Sequence, residues 1–279
     1  GRVAYRKIRE LEETQDHLSK SGSLKLDHIH SIEWQNYGFK YPLQSQPSLR
    51  DIQVTLKEGE TLGIVGKTGS GKTTLIRQLL RQWPVGNQGR LLINGQAIED
   101  YDLQSLSQQF AYVPQEHFLF SQSVKENILF SNPTATEQDL DQVLQAADLA
   151  KDIDQLSQGL ETLVGEKGVA LSGGQKQRLA IARALIAKAP ILILDDALSA
   201  VDANTERTII NHIHELRSGQ TNLIVTHRLS AVQAADYIIV LDQGRIIQEG
   251  TPVELQNQPG WYADQYHLQQ MGGKVNEGI

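Results

Sequence analysis

Cysteine is absent from this sequence of 279 residues, and methionine occurs once. A disulfide framework and a thiolate metal site are therefore both excluded. Lys and Arg number 26 against 33 Asp and Glu, so the formal charge is −7 and no overall positive field attracts nucleic acid. We therefore predict no nucleic-acid partner. No stretch approaches the roughly 18 consecutive apolar residues that a membrane helix needs.

The amino-terminal segment has a helical pattern with a basic start. Tyr5, Ile8 and Leu11 recur at helical spacing, and four Lys and Arg residues lie among the first nine positions. A solvated surface helix fits this pattern, and so does the cytoplasmic exit of a membrane span. Because the sequence opens at Gly1 within that pattern, we expect a membrane domain fused ahead of it. Residues 1–23 are predicted to be a juxtamembrane helix and linker, and residues 271–279 a flexible tail.

Between these ends, short apolar runs alternate with helical segments. Runs such as 191–194 (Ile-Leu-Ile-Leu) lack polar alternation and predict strands buried on both faces of a parallel sheet. Residues 91–98 contain an Asn-Gly pair, which predicts an antiparallel hairpin. The pattern predicts an α/β core, built on a mainly parallel sheet with flanking helices, and a helical insertion near residues 120–165.

A glycine-rich segment follows the apolar strand 61–65 and precedes a helix. Its sequence matches G-x-x-x-x-G-K-[ST], in the strand–loop–helix context that a P-loop requires. Glycines allow backbone N–H groups to surround phosphates, a lysine reaches the outer phosphates, and a threonine hydroxyl ligates magnesium. This predicts a P-loop NTPase core that binds ATP and Mg²⁺ through Gly66, Lys67, Thr68, Gly69, Ser70, Gly71, Lys72, Thr73 and Thr74.

Two further segments bear on the same chemistry. Asp195 ends the apolar strand 191–194, where ligands of α/β sheets bind, and is predicted to hold Mg²⁺. A second anion-binding segment opens a long helix with Leu171, Ser172, Gly173, Gly174 and Gln175. Ser172 can cap the helix and the glycines leave N–H groups open. A second phosphate-binding segment is hard to use within one chain. We therefore expect it to complete the nucleotide site of another copy.

With these motifs the chain resembles the nucleotide-binding domain of ABC transporters over roughly residues 31–268. The resemblance implies a domain over residues 24–270 with an antiparallel β subdomain and a helical subdomain at about 116–165. Other matching positions occur in the family's order, and the resemblance implies their roles. Tyr41 would stack on adenine, and Gln115 would touch magnesium and act in catalysis. His227 would lie near the γ-phosphate, and Ser199 and Asp202 belong to the loop that crosses to the partner domain. By the same resemblance the magnesium ligands are Thr73, Gln115 and Asp195.

The segment 162–168, just before Leu171, resembles a segment that is found in ABC exporters rather than importers. The resemblance implies an ATPase that drives export across a membrane by ATP-dependent dimerisation with a second nucleotide-binding domain. It also implies a membrane domain fused at the amino terminus and a position on the cytoplasmic face of the cell membrane.

One position departs from the family pattern. The residue after the magnesium aspartate, usually a catalytic glutamate, is Asp196. A side chain shorter by one methylene withdraws the carboxylate by about 1.5 Å, which predicts a poor general base. With an intact signature, this favours one half of a heterodimeric exporter with a different partner chain. The alternatives are a homodimeric exporter that uses Asp196 as its base, a soluble ABC ATPase not linked to transport, and a regulatory nucleotide-binding module.

Overall fold

The computed structural model describes residues 20–276, with side chains to residue 272, and divides into two compact units. The first unit comprises the chain up to Lys57, Lys67–Gln109 and Leu241–Ile247. The second comprises Glu58–Gly66, Phe110–Val240 and the chain from Gln248. The predicted amino-terminal helix lies outside the described residues.

The strands are, in chain order, β1 (Ser31–Phe39), β2 (Leu49–Lys57), β3 (Thr61–Gly66), β4 (Gln88–Ile93), β5 (Gln96–Ala97), β6 (Phe110–Val113), β7 (Ile191–Asp195), β8 (Thr221–Thr226), β9 (Tyr237–Asp242) and β10 (Arg245–Gly250). The α-helices are α1 (Lys72–Leu79), α2 (Leu103–Ser107), α3 (Val124–Leu129), α4 (Glu137–Ala146), α5 (Ala150–Asp154), α6 (Gly173–Ile186), α7 (Ala203–Leu216), α8 (Pro252–Asn257) and α9 (Trp261–Asn276). Short 3-10 helices occupy Ile98–Asp100, Gly159–Glu161 and Leu229–Val232.

The first unit contains the antiparallel sheet that the sequence predicts, in the order β2-β1-β4-β5. Along β2, buried Ile52, Val54 and Leu56 alternate with exposed residues, so one face packs on the core. Strands β4 and β5 pair through the predicted Asn-Gly turn, where Asn94 and Gly95 both have positive φ. Helix α1 ends at Leu79, and Arg81 lies beyond it with φ 54°.

The second unit is built around a parallel sheet. The six-stranded sheet has the order β10-β9-β3-β8-β7-β6, and the pairs β3–β8, β8–β7 and β7–β6 are parallel. Every residue of β3, β7 and β8 is buried, as expected for strands covered on both faces. The predicted α/β class with a P-loop core is confirmed.

The predicted helical segment falls within the second unit. Ser123 and Thr136 each form a capping box, so α3 and α4 begin where the sequence supplies a cap. Both helices pack against α6, whose buried face includes Leu179 and Ile181. At the carboxyl end, α9 continues to Asn276, beyond the predicted tail boundary at 271.

Candidate functional site

The phosphate loop begins at Gly66, the last residue of β3, and continues in the first unit. Gly69 and Gly71 have φ of 79° and 109°, values that L side chains rarely adopt. A Cβ on Gly71 would also lie 2.7 Å from the carbonyl oxygen of Ser48. The loop therefore has a backbone conformation that requires glycine at residue 71, the N-cap of α1.

The side chains of this loop suit a phosphate group. The Lys72 residue is only 7% exposed, and its Nζ donates a hydrogen bond to the Lys67 carbonyl oxygen at 2.8 Å. The ammonium is thus held against the loop's own backbone. Ser70 Oγ is buried and has no hydrogen-bond partner within the described part of the chain. A buried positive charge and an unsatisfied buried hydroxyl in the same loop fit an anionic ligand.

The predicted adenine-stacking residue, Tyr41, also belongs to the first unit. Its ring meets Phe39 edge-to-face at 4.8 Å and Trp83 at 5.2 Å between centroids. The Tyr41 hydroxyl lies 3.1 Å from Thr74 Oγ1, a residue of the predicted ATP site. Three contacts therefore fix the ring. Trp83 was not predicted, because nothing in its local sequence relates it to Tyr41.

In the second unit, the carboxyl ends of three parallel strands lie along one edge of the sheet. Val65 pairs with Thr226 and Asp195 with Val225, so the ends of β3, β8 and β7 are in register. Asp195 is 1% exposed, and its Oδ2 accepts a hydrogen bond from the Tyr112 hydroxyl at 3.2 Å. This is the predicted position for a metal-binding carboxylate.

Asp196 follows in a left-handed conformation, with φ 47°. Its N–H donates to the Val225 carbonyl at 2.8 Å, and its Oδ1 lies 3.0 Å from His227 Nδ1. Because an ionised carboxylate can only accept, this contact is a hydrogen bond when Nδ1 carries the proton. The structure thus brings together two predicted catalytic residues. The third, Gln115, lies two residues beyond β6, and its exposed side chain makes no hydrogen bond to any residue in the described range.

The signature residues form a complete helix start. Ser172 Oγ accepts from the Gln175 N–H at 3.1 Å, and Gln175 Oε1 accepts from the Ser172 N–H at 2.9 Å. This is a capping box, and Gly173 and Gly174 form the first turn of α6. A Cβ on Gly174 would lie 3.2 Å from the Ala200 carbonyl oxygen, so the helix start packs closely on the loop before α7.

A glutamine that the sequence analysis did not single out holds that loop. Gln177 is 3% exposed, and its amide donates to Ser199 Oγ at 2.9 Å and accepts from the Ala200 N–H at 2.7 Å. Arg228 donates to the carbonyl oxygens of Ser199 and Val201. The available sequence signal was a polar residue on the buried face of an amphipathic helix.

Asp202, predicted to cross to a partner, caps α7 in this chain. The Thr205 N–H donates to its carboxylate at 2.9 Å and lowers the pKa of Asp202. An open cleft of about 470 Å³ lies between the signature and this loop. Ser172, Gly173 and Gly174 line one side, and Ala200 and Asp202 line the other. The cleft exposes the amino-terminal end of a 14-residue helix.

The comparisons with known proteins agree with this geometry. The family described as "ABC transporter" matches residues 49–199. The chain is 53% identical over 254 residues to the "Probable multidrug resistance ABC transporter ATP-binding/permease protein YheI" of Bacillus subtilis, covering 91% of this chain and 42% of that protein. It is 41% identical over 255 residues to an "ATP-dependent lipid A-core flippase" of Shewanella denitrificans, covering 90% of this chain and 42% of that protein.

Among solved structures, a bacterial Atm1-family ABC exporter with ATP bound matches with a TM-score of 0.83 and 34% identity, over 96% of this chain and 49% of that one. A P-loop ATPase fold with a signature helix thus defines the class of protein. The chain belongs to the ABC transporter family, and it is the ATP-binding ATPase domain of that family.

The chain spans less than half the length of the curated relatives that it matches. Among the described residues, no helix combines the length and the apolar character needed to cross a bilayer.

Proposed function

We propose that this chain is the ATPase part of one half of a heterodimeric exporter, with a weakly hydrolytic site of its own and a signature that completes the partner's competent site. The contact that carries this proposal is Asp196 Oδ1 to His227 Nδ1 at 3.0 Å. A membrane domain fused to the chain would place it at the cytoplasmic face of the membrane. The relatives are named as a permease and a flippase, which supports that assembly.

Hydrolysis requires a base that removes a proton from the attacking water. Such a base must lie about 2.6–3.2 Å from the water oxygen. The Asp196 carboxylate is one methylene shorter than the family's glutamate and contacts the imidazole of His227. We infer that Asp196 is held on the histidine rather than on a water, and that this chain's own site binds ATP far better than it hydrolyses it.

The predicted magnesium ligands fit such an ion by their chemistry. Asp195 supplies a buried carboxylate, Thr73 a hydroxyl and Gln115 an amide oxygen, and Mg²⁺ prefers oxygen donors. When bound, Mg²⁺ neutralises phosphate charge and polarises the phosphoryl group. In this chain the Tyr112 hydroxyl orients Asp195, and Lys72 would hold the outer phosphates of bound ATP.

The signature residues act on the other nucleotide. The open amino-terminal end of α6 offers backbone N–H groups and the positive end of the helix dipole to the γ-phosphate held by the partner. Ser172 keeps that end ordered through its capping box. The partner's site therefore depends on this chain for charge stabilisation and on its own carboxylate for the base.

Steady-state phosphate release from the purified two-chain complex tests the proposal. Asp196→Asn should change turnover by less than about threefold, whereas loss of a working general base costs about 10²–10⁴-fold. Gly174→Asp should nearly stop turnover, because a carboxylate would occupy the space for the partner's phosphate. If Asp196→Asn stops turnover as thoroughly, Asp196 is a working base and the asymmetric assignment is wrong.

A further inference from the structure

The signature of this chain is tied to a carboxylate on a different helix. Asp152 lies in α5, and its Oδ1 accepts a hydrogen bond from Gln175 Nε2 at 3.0 Å. The two residues are 23 positions apart in the sequence. Gln175 is the last signature residue and the third residue of α6, so the contact reaches the first turn of the helix.

This contact determines which way the Gln175 amide faces. A carboxylate can only accept, so the amide nitrogen must point to Asp152 and the amide oxygen to the Ser172 N–H. The opposite orientation would place two acceptors together at Asp152 and two donors together at Ser172. Asp152 therefore selects the orientation that closes the capping box.

An arginine holds the carboxylate in place. Arg178 donates to Asp152 Oδ2 at 2.7 Å and to Oδ1 at 3.2 Å, and also to the Asp148 carbonyl oxygen. Arg178 is one helical turn beyond Gln175 on α6, so both side chains face α5. Burial raises the pKa of Asp152, but the bonds from Arg178 and Gln175 outweigh it and hold the pKa below its usual value.

The ion pair between Arg178 and Asp152 also removes an electrostatic repulsion. An unpaired carboxylate near the first turn of α6 would repel a phosphate arriving at Gly173 and Gly174. Arg178 neutralises Asp152 and leaves the helix dipole available. Arg178 also lines the same 470 Å³ cleft as those glycines.

We propose that Asp152 is a positioning residue for hydrolysis at the partner's site, acting through Gln175 to hold the signature in its phosphate-binding form. This proposal rests on the proposed function, in which the signature completes that site. Asp152 touches no nucleotide in this scheme. Asp152 orients Gln175, and Gln175 in turn holds the start of α6.

The test compares phosphate release by the two-chain complex carrying Asp152→Asn, Gln175→Leu or both. Asp152→Asn should lower turnover about tenfold, since a small displacement of groups at a reacting centre can cost up to about a hundredfold. In the Gln175→Leu background it should cost less than about twofold further, because the effect passes through Gln175. The matched control is Asp154→Asn, an exposed carboxylate on the same helix, which should leave turnover unchanged.

ATP binding at the chain's own phosphate loop should remain normal in Asp152→Asn, which separates positioning from misfolding. If that variant fails to fold, Asp152→Glu keeps the charge, displaces the carboxylate by about 1.5 Å and should show the same loss of turnover.

The proposal is overturned if Asp152→Asn has normal turnover, or if Asp152→Glu does where Asp152→Asn does not fold. It is also overturned if the effects of Asp152→Asn and Gln175→Leu on turnover are fully additive. Gly174→Asp is measured alongside. Unchanged turnover in Gly174→Asp overturns the proposed function and this inference together, whereas loss in Gly174→Asp with normal Asp152→Asn overturns this inference alone.

Discussion

The phosphate loop in the first unit and the signature in the second prepare an anion site by different means. The phosphate loop depends on backbone conformations open to glycine, with φ of 79° and 109° at Gly69 and Gly71. The signature is a regular helix start, and side chains hold it through a capping box and a chain of contacts to Arg178. A backbone-built site is spoiled by adding a methyl group, and a side-chain-built site by removing a hydrogen bond.

The largest expected effect separates the two sites by function. Lys72→Met should abolish ATP binding by this chain, because the loop loses the charge that faces the phosphates. Gly174→Asp should leave that binding unchanged, because in the proposed function the signature contacts the phosphate held by the partner. Titration of the isolated chain with a fluorescent ATP analogue measures both. Equal losses in the two variants would mean that both motifs serve one nucleotide within this chain.

The next effect concerns glycine itself. Gly71→Ala places a side chain at φ 109° and 2.7 Å from a carbonyl oxygen. Such strain costs of order 1–3 kcal/mol, and should lower the Tm by about 2–10 °C. Gly173→Ala is the matched control, because its Cβ would be no closer than 3.4 Å to another side chain. Calorimetry of the two variants checks the difference; a larger loss in Gly173→Ala would invert the comparison.

The smallest effect compares two serines. Ser172→Ala removes a helix cap, which typically costs about 1 kcal/mol and should lower the Tm by about 2–4 °C. Ser70→Ala removes a buried hydroxyl that has no partner in the described range, so the Tm should not fall. Thermal unfolding followed by circular dichroism distinguishes them. An equal decrease for Ser70→Ala would show that its hydroxyl has a stabilising role.

Much of the fold follows from local patterns in the sequence. The run 191–194 is apolar throughout, so it could only be buried on both faces, and the structure confirms a central parallel strand there. Ser172 precedes a helix as a predicted cap, and it caps that helix. These outcomes depend on interactions within a few residues, which a sequence displays directly.

The remaining features depend on contacts between distant residues. The Asp152–Gln175 bond spans 23 positions and the Asp196–His227 contact spans 31. Neither pair has a sequence pattern of its own, because the contact exists only after separate elements have packed. The extension of α9 to Asn276 was missed for a different reason, since Gly272 and Gly273 break the helical propensity there.

The left-handed backbone conformation at Asp196 influences which residues this position accepts during evolution. Among residues other than glycine, aspartate and asparagine occupy this region more readily than glutamate does. Under the proposed function, a chain that need not hydrolyse ATP would hold, at Asp196, a residue that its own backbone favours. Regaining glutamate would require both a selective benefit in turnover and acceptance of a conformational cost. In a heterodimer with one weakly hydrolytic site, replacement of the glutamate by aspartate would therefore be easier than the reverse change.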